Sequence, residues 1–252
     1  MRIEDRALAL RRVAFRDTSW IVTLLTPGHG VVAAVARAAR RGGRDGARGA
    51  LSGFHRLEVE IRARAPDGLG TLTQVAIDRP RNGLPFRAAA SAAGQLLIEA
   101  VLRGEMPADP GGGALFFCLD GALEALEAEV EPLRVVAGTV NRLVGLFGHG
   151  WRVGDCVGCG GRSGLQFFSV RRGGAVCGGC GAPYAGRLPR VSAGVLQAMA
   201  DRSWPPELTA LSRAEQVMLY QLGMAGLTRI VARSLSADLP FRRLAGVDER
   251  GV

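Results

Sequence analysis

Lysine is absent from this sequence of 252 residues; all 32 basic side chains are arginine, set against 23 acids. Without lysine there is no Walker loop, and "GVDERGV" at the far end carries no nucleotide motif either. Histidine is scarce. The three present are followed by "GV", "RL" and "GW", which rules out the HxE element of a zinc nucleobase deaminase. Nothing in the sequence pairs a nucleophile with a base, so no enzyme is expected. No uninterrupted apolar run approaches the ~18 residues of a membrane helix, and no membrane span is expected. The opening "MRIEDRALALRR" is charged and lacks an apolar core, so no secretory signal is expected. The expected compartment is the cytosol, where disulfides are rare. Aromatics make up only 6% of the residues, which leaves few to stack on nucleic-acid bases.

What is present begins with charge. The formal net charge is +9. Arginine in place of lysine can follow from genomic base composition, so the excess over acids is the informative quantity. It favours a polyanionic partner, either nucleic acid or an acidic peptide. At 48% hydrophobic residues the chain can build a real core. Its length suits one large domain or two to three small ones.

The first eighty residues read as β-structure. Apolar runs recur at short intervals: "ALALRRVAF", "WIVTLLT", "GVVAAVARA", "FHRLEVEIRA" and "LGTLTQVAI", divided by "TPGHG" and "APDGLG". Leu57, Val59 and Ile61 alternate with Glu58, Glu60 and Arg62, the period of a half-buried strand. Five short antiparallel strands predict a small barrel. The third run is rich in alanine and is open to a helical reading on propensity alone. From residue 81 onward the pattern turns helical. Helices are expected over 88–103, over 114–130, from Pro132 to a stop at 148–150, after Ser192, and from Ala214 to Leu235 behind the capping box Ser212–Glu215. The expected organisation is a barrel over 1–80 and an all-α domain over 81–252, with a cysteine module inserted at 152–188.

That module carries four of the five cysteines. Cys156 and Cys159 form one CxxC pair, and Cys177 and Cys180 the other, with seventeen residues between the pairs. The spacing lies in the range of four-cysteine zinc sites. Each CxxC turn aims two sulfurs at one point, and two facing turns complete a tetrahedron. "LQFFSVRRGG" between them reads as a hairpin, giving a zinc ribbon. A redox CxxC would need a single pair beside a βαβ unit, and a catalytic zinc would need an open position. The expected cofactor is one structural Zn²⁺ per chain, stapling a segment too small for its own core. The fifth cysteine, Cys118, reads as a small core hydrophobe.

A second feature is "RAARRGGRDGAR", residues 37–48, with Arg37, Arg40, Arg41, Arg44 and Arg48 against Asp45. A Gly–Arg loop can follow an irregular phosphate backbone, and guanidinium forks match phosphate oxygens. A solvated loop without a ligand would carry the same charges. Phe15, Trp20 and Phe54 are candidate base stackers, although a core position is the preferred reading for each. The arginines of the cysteine module, Arg162, Arg171 and Arg172, are the next candidates for phosphate contact.

Taken together, "LTPGHGVVAAVARAARR", "LSGFHRLEVEI", the helical second half and the inserted "CVGCG…GGAVCGGC" resemble the RecO family of bacterial recombination mediators over nearly the whole chain. The resemblance implies an α+β multidomain protein: an N-terminal OB-fold barrel and a C-terminal all-α domain carrying the zinc ribbon. It also implies a non-enzymatic, cytoplasmic, nucleoid-associated function. Such proteins bind single- and double-stranded DNA and anneal complementary strands. With RecR they help RecA load onto strands coated by single-strand-binding protein, whose acidic C-terminal tail they bind through the helical domain. The helix with Leu222, Met224, Arg229 and Arg233 supplies apolar and basic residues for that tail. A zinc-ribbon protein of transcription or translation that binds RNA is the competing reading.

Overall fold

The computed structural model describes residues 2–39, 47–63, 68–104, 112–201, 210–231 and 234–247. The first half holds five strands: β1 (Arg2–Phe15), β2 (Ser19–Thr26), β3 (Gly30–Ala36), β4 (Arg56–Arg62) and β5 (Gly70–Arg79). They close a barrel in the order β1-β2-β3-β5-β4, with β3 and β5 parallel and the other neighbours antiparallel. β1 pairs with both β2 and β4, and a bulge between Ala9 and Arg11 bends it from one partner to the other. This is the connectivity of an OB barrel. The alanine-rich third run is β3. Pairing on both sides overrides the helical preference of its alanines.

Strand alternation fills the barrel. Val22 and Leu24 of β2 meet Leu57, Val59 and Ile61 of β4 inside, and Ala50 and Leu51 join them from the short helix α1 (Ala47–Ala50). Glu60 points outward, as its place in the alternation demands. It is nonetheless buried, because Arg2 and Arg62 close over its carboxylate.

The second half is helical: α2 (Ala88–Arg103), α3 (Gly113–Glu127) and α4 (Pro132–Val144). A ribbon follows, with β6 (Leu165–Ser169), β7 (Gly174–Cys177) and the one-turn α5 (Gly178–Gly181). Then come α6 (Ala193–Ala200), α7 (Arg213–Ile230) and α8 (Asp238–Ala245). Pro132 opens α4, where its missing N–H costs nothing, and the Glu131 carboxylate caps the turn by accepting from the Arg134 amide. The expected capping box on α7 is present: Ser212 accepts from the Glu215 amide while Glu215 accepts from the Ser212 amide. α7 ends at Ile230 rather than continuing to residue 235. Backbone amides of Ser236 and Ala237 donate instead to the Glu99 carboxylate on α2, turning the chain into α8. α8 escapes a sequence reading because Pro240 looks like a breaker. It lies in the first turn, where no intrahelical N–H bond is lost. Among the described residues no helix is long and apolar enough to cross a membrane.

The helices pack around α4, and their core is continuous with the barrel's outer face. Leu8, Leu10 and Leu25 belong to the same buried cluster as Leu96, Leu119 and Val136. The β2–β3 turn, "TPGHG", docks on the start of α3. A Cβ at Gly112 would lie 2.6 Å from the Gly30 Cα, so only glycine permits this approach. A charged seam runs beside it. The fully buried Arg81 donates to Asp120 Oδ1 (2.5 Å), to the Asp120 carbonyl (3.1 Å) and to the Phe54 carbonyl (2.8 Å). Arg56 of β4 bridges Asp78 and Asp120. The Glu127 carboxylate accepts from the amides of Gly83 and Leu84.

Candidate metal centre and nucleic-acid face

The ribbon hangs from the helical core by two aromatic residues. Trp151 donates through Nε1 to Asn141 Oδ1 on α4 and meets Phe168 of β6 edge-on, with centroids 5.2 Å apart. Asn141 in turn donates to the carbonyls of Ala137 and Leu219, so the buried amide ties α4, α7 and the ribbon together. A Cβ on Gly226 of α7 would lie 2.4 Å from the indole, which explains glycine there. β6 and β7 form the expected hairpin. Leu165 pairs with Cys177, and the tight turn Val170–Gly173 sits at the opposite end.

At the open end of the hairpin the four cysteines converge. The sulfurs of Cys156, Cys159, Cys177 and Cys180 all lie within 4.8 Å of one another, and Cys159 Sγ is 3.7 Å from Cys177 Sγ. A tetrahedron with ~2.3 Å metal–sulfur bonds has edges of about 3.8 Å. A disulfide would need ~2.05 Å. Cys156 is buried, with Val176 and Phe167 behind it. Its burial opposes the thiolate, but N–H donation from Cys177, Cys159 and Gly158 outweighs that and brings the thiol down to about 6. Cys180 is pushed up to about 12, first by sulfur hydrogen bonds from Cys159 and its neighbours and then by burial. Four sulfurs this close do not ionise together without a cation between them. The chemistry of the donor set therefore fits a soft or borderline metal ion. Cys118, on α3 and far from this group in sequence, is buried, and desolvation pushes its thiol up to about 12.

The barrel presents a second candidate surface. On the outside of β1, β2 and β3 the row Val13–Ile21–Val35 runs across the sheet, with Thr71 beside Val35. Val13 is 42% exposed. Arginines border the row: Arg11 and Arg16 from β1 and its turn, and Arg37 just beyond β3. Arg16 lies over the ring of Phe15 at 5.2 Å. Near α1, Arg12 lies over the half-buried ring of Trp20 at 5.0 Å and donates to Ser52 Oγ, with Arg48 beside it. Burial lowers the pKa of Arg12. Of the five arginines singled out from sequence, Arg37 and Arg48 are exposed, whereas Arg40, Arg41 and Arg44 lie outside the described residues. Sequence reasoning passed over Arg11, Arg12 and Arg16. The adjacent pair "RR" inside an otherwise apolar strand pattern was the available signal. Phe54 is no stacker, because it packs against Gly94 of α2. Leu222 and Met224 of α7 are buried in the core and cannot wall an open pocket; Arg229 is exposed, and Arg233 lies outside the described residues.

The cleft of about 630 Å³ between α4, the start of the ribbon and α6 does combine apolar and basic walls. Leu146, Trp151 and Met199 line it together with Arg142 and Arg152, and so do the acids Asp155, paired with Arg152, and Asp201.

Comparison with known proteins converges on one family. Residues 1–81 match the family model "Recombination protein O N terminal", and residues 86–220 match "Recombination protein O C terminal". A protein from Anaeromyxobacter dehalogenans named "DNA repair protein RecO" is 35% identical over 204 residues, covering 79% of this chain and 78% of its own length. Proteins of the same name from Streptomyces coelicolor and Bifidobacterium animalis subsp. lactis are 32% and 31% identical. They cover 71% and 80% of this chain and 74% and 83% of their own lengths.

Proposed function

This chain belongs to the RecO family, and from that premise we propose that it acts in DNA repair as a non-enzymatic, DNA-binding recombination mediator. It binds single- and double-stranded DNA and anneals complementary strands in the cytoplasm, at the nucleoid. With RecR it helps RecA load onto strands coated by single-strand-binding protein. The observation that carries this reading is the outer face of the OB barrel, an apolar row with Val13 exposed and Ile21 and Val35 half-buried, bordered by Arg11, Arg16 and Arg37. Apolar and aromatic surface accepts bases, and guanidinium groups take phosphates. Annealing needs no hydrolysis. Duplex stacking supplies the free energy, and the protein's part is to neutralise repulsion between two polyanions.

The four cysteines hold one structural Zn²⁺. Four sulfur donors that converge from two glycine-rich CxxC turns favour zinc over harder ions, and a tetrahedron they complete leaves no position for a substrate. The ion supplies folding energy to the ribbon and no reaction step. The cleft at Leu146, Trp151 and Met199 is the proposed seat of the acidic tail of single-strand-binding protein, with Arg142 and Arg152 as its cations; the tail's carboxylates would have to compete with Asp155, which pairs with Arg152, and with Asp201. An RNA-binding role in transcription or translation is the alternative, and preference for single-stranded DNA over RNA separates the two.

The test of the basic run over residues 37–48, which begins at this face with Arg37, is a salt titration of single-stranded DNA binding. About five phosphate contacts through Arg37, Arg40, Arg41, Arg44 and Arg48 give a slope of log K against log salt near −3.5, at roughly −0.7 per contact. Arg37→Ala with Arg40→Ala and Arg41→Ala flattens it by about 2. Affinity falls alike for all sequences, because phosphate contacts carry no base information. An unchanged slope and affinity would move the DNA surface elsewhere.

A further inference from the structure

Charge is distributed over this chain in two separate blocks. Residues 1–80 carry fourteen arginines against eight acids, and residues 152–190 carry six against one. The rest, the helical body between and around them, has twelve arginines against fourteen acids. The chain is thus a basic barrel and a basic ribbon joined by a slightly acidic core. The barrel packs on α2 and α3, whereas the ribbon hangs from the end of α4.

We propose that the ribbon is a second polynucleotide-binding face, which grips the sugar–phosphate backbone of one strand while the barrel holds another. The inference rests on the reading of the chain as a strand annealer and supplies the second hand that annealing requires.

The use to which arginines are put differs between the two halves of the molecule. At the seam between barrel and helices, Arg56, Arg79, Arg81 and Arg87 are neutralised by Asp78, Asp120, Glu124 and Glu127. Those guanidinium groups hold the fold together. On the ribbon, Arg162, Arg171 and Arg187 are exposed and enter no ion pair among the described residues. Arg172 donates to the Val157 carbonyl at 2.8 Å, and Arg190 lies over the Phe167 ring at 5.3 Å. Both contacts fix the side chain without cancelling its charge. Arg152 alone is paired with an acid, Asp155. Six cations against one acid give the module +5 with its thiols protonated. Four thiolates around a divalent ion take two of those charges back, so the filled module remains at +3.

The placement suits an extended backbone. Arg171 and Arg172 occupy the hairpin turn, and Arg152 is joined to that turn through backbone bonds with Gly173 and Ala175. Arg162 and Arg187 follow the two CxxC turns at the opposite end, with Tyr184 53% exposed beside Arg187. Cations spread along a hairpin, with one exposed ring among them, match a chain of phosphates carrying bases. A short acidic peptide ending in an apolar residue would need a pocket, and the cleft with Leu146 and Trp151 already offers one.

The test uses the full-length, metal-loaded protein and two complementary 30-nucleotide DNA strands of mixed sequence, each with its own fluorophore. The wild type is expected to bind two non-complementary single strands per chain and to anneal complementary ones. Arg162→Ala with Arg171→Ala and Arg187→Ala should retain one strand per chain with affinity within about threefold. It should lose the second strand, flatten the salt slope of that step by about 2, and anneal at least tenfold more slowly. Metal content and thermal unfolding should match the wild type, because these side chains are exposed. Wild-type annealing and two-strand binding in the triple variant would overturn the ribbon proposal and leave the barrel reading standing. Loss of an Asp-rich peptide's binding in place of the second strand's would show the ribbon to be a protein-docking surface, and would also overturn it. A wild-type protein that binds no DNA would overturn both.

Discussion

Arg81→Ala tests whether the barrel and the helices form one cooperative unit. The side chain is fully buried, and its guanidinium reaches Asp120 Oδ1 at 2.5 Å, the Phe54 carbonyl at 2.8 Å and the Asp120 carbonyl at 3.1 Å. Removing one member of a buried ion pair costs about 3–5 kcal/mol, because the other charge is left without its partner. Asp120 keeps Arg56 at 2.9 Å, which places the ionic part near the lower end. Two buried carbonyls also lose donors, at about 1 kcal/mol each. A total of about 5 kcal/mol follows, which at a urea slope of ~2 kcal/mol/M lowers the midpoint by about 2.5 M. The comparison is Arg79→Ala, which removes an exposed, solvent-screened pair to Glu124 and should leave the midpoint almost unchanged. Urea titration followed by Trp fluorescence and by circular dichroism reads both variants. Equal midpoints for the two would refute the claim that the buried arginine fastens the two halves.

The remaining predictions concern metal, thiols and acid. Cys156→Ser should lose the bound metal and unfold the ribbon, seen as zero metal by elemental analysis and as aggregation on warming; full occupancy would show the ligands to be misassigned. Of the five thiols, four should react with an alkylating reagent once a chelator is present, while Cys118, buried and pushed up to about 12, should react only on unfolding. Cys118→Ala should keep the metal. His55 is buried and accepts the Arg81 amide through Nδ1 (2.9 Å); burial first, and the Arg81 charge second, hold its pKa below 6.5. The folded state therefore binds fewer protons than the unfolded one. Stability from neutral His55 is complete above about pH 6.5 and falls as the pH drops toward the folded value. The urea midpoint should decline between pH 7.5 and 5.5, and His55→Asn, which keeps an acceptor but cannot titrate, should flatten that decline.

Much of this fold can be read from the sequence because its signals are local. Alternation in "LEVEI" follows from strand geometry, and the Ser212–Glu215 box marks a helix start without reference to anything distant. The two CxxC pairs are legible for the same reason: each turn forms its half of the site by itself. What escapes depends on contacts far apart in sequence. Arg81 reads as one more surface charge in "DRPRNG", and only the packing of α3 against the barrel makes it the buried centre of an ion cluster. Leu222 and Met224 suggested an open pocket, yet α7 packs into the helical core and buries both. Arg11 and Arg16 gain meaning only when β1, β2 and β3 lie side by side and align the row Val13–Ile21–Val35 on the outer face.

The most direct measurement of the central claim is strand annealing without nucleotide. Two complementary DNA strands are first coated with single-strand-binding protein, then mixed with the purified chain, and duplex formation is followed by energy transfer between end labels. The account predicts annealing that needs no ATP, weakens with salt, and is lost when the Arg37, Arg40 and Arg41 side chains are removed together. Absence of annealing by a folded, metal-loaded protein, or annealing that persists at full rate in that variant and at high salt, would contradict it.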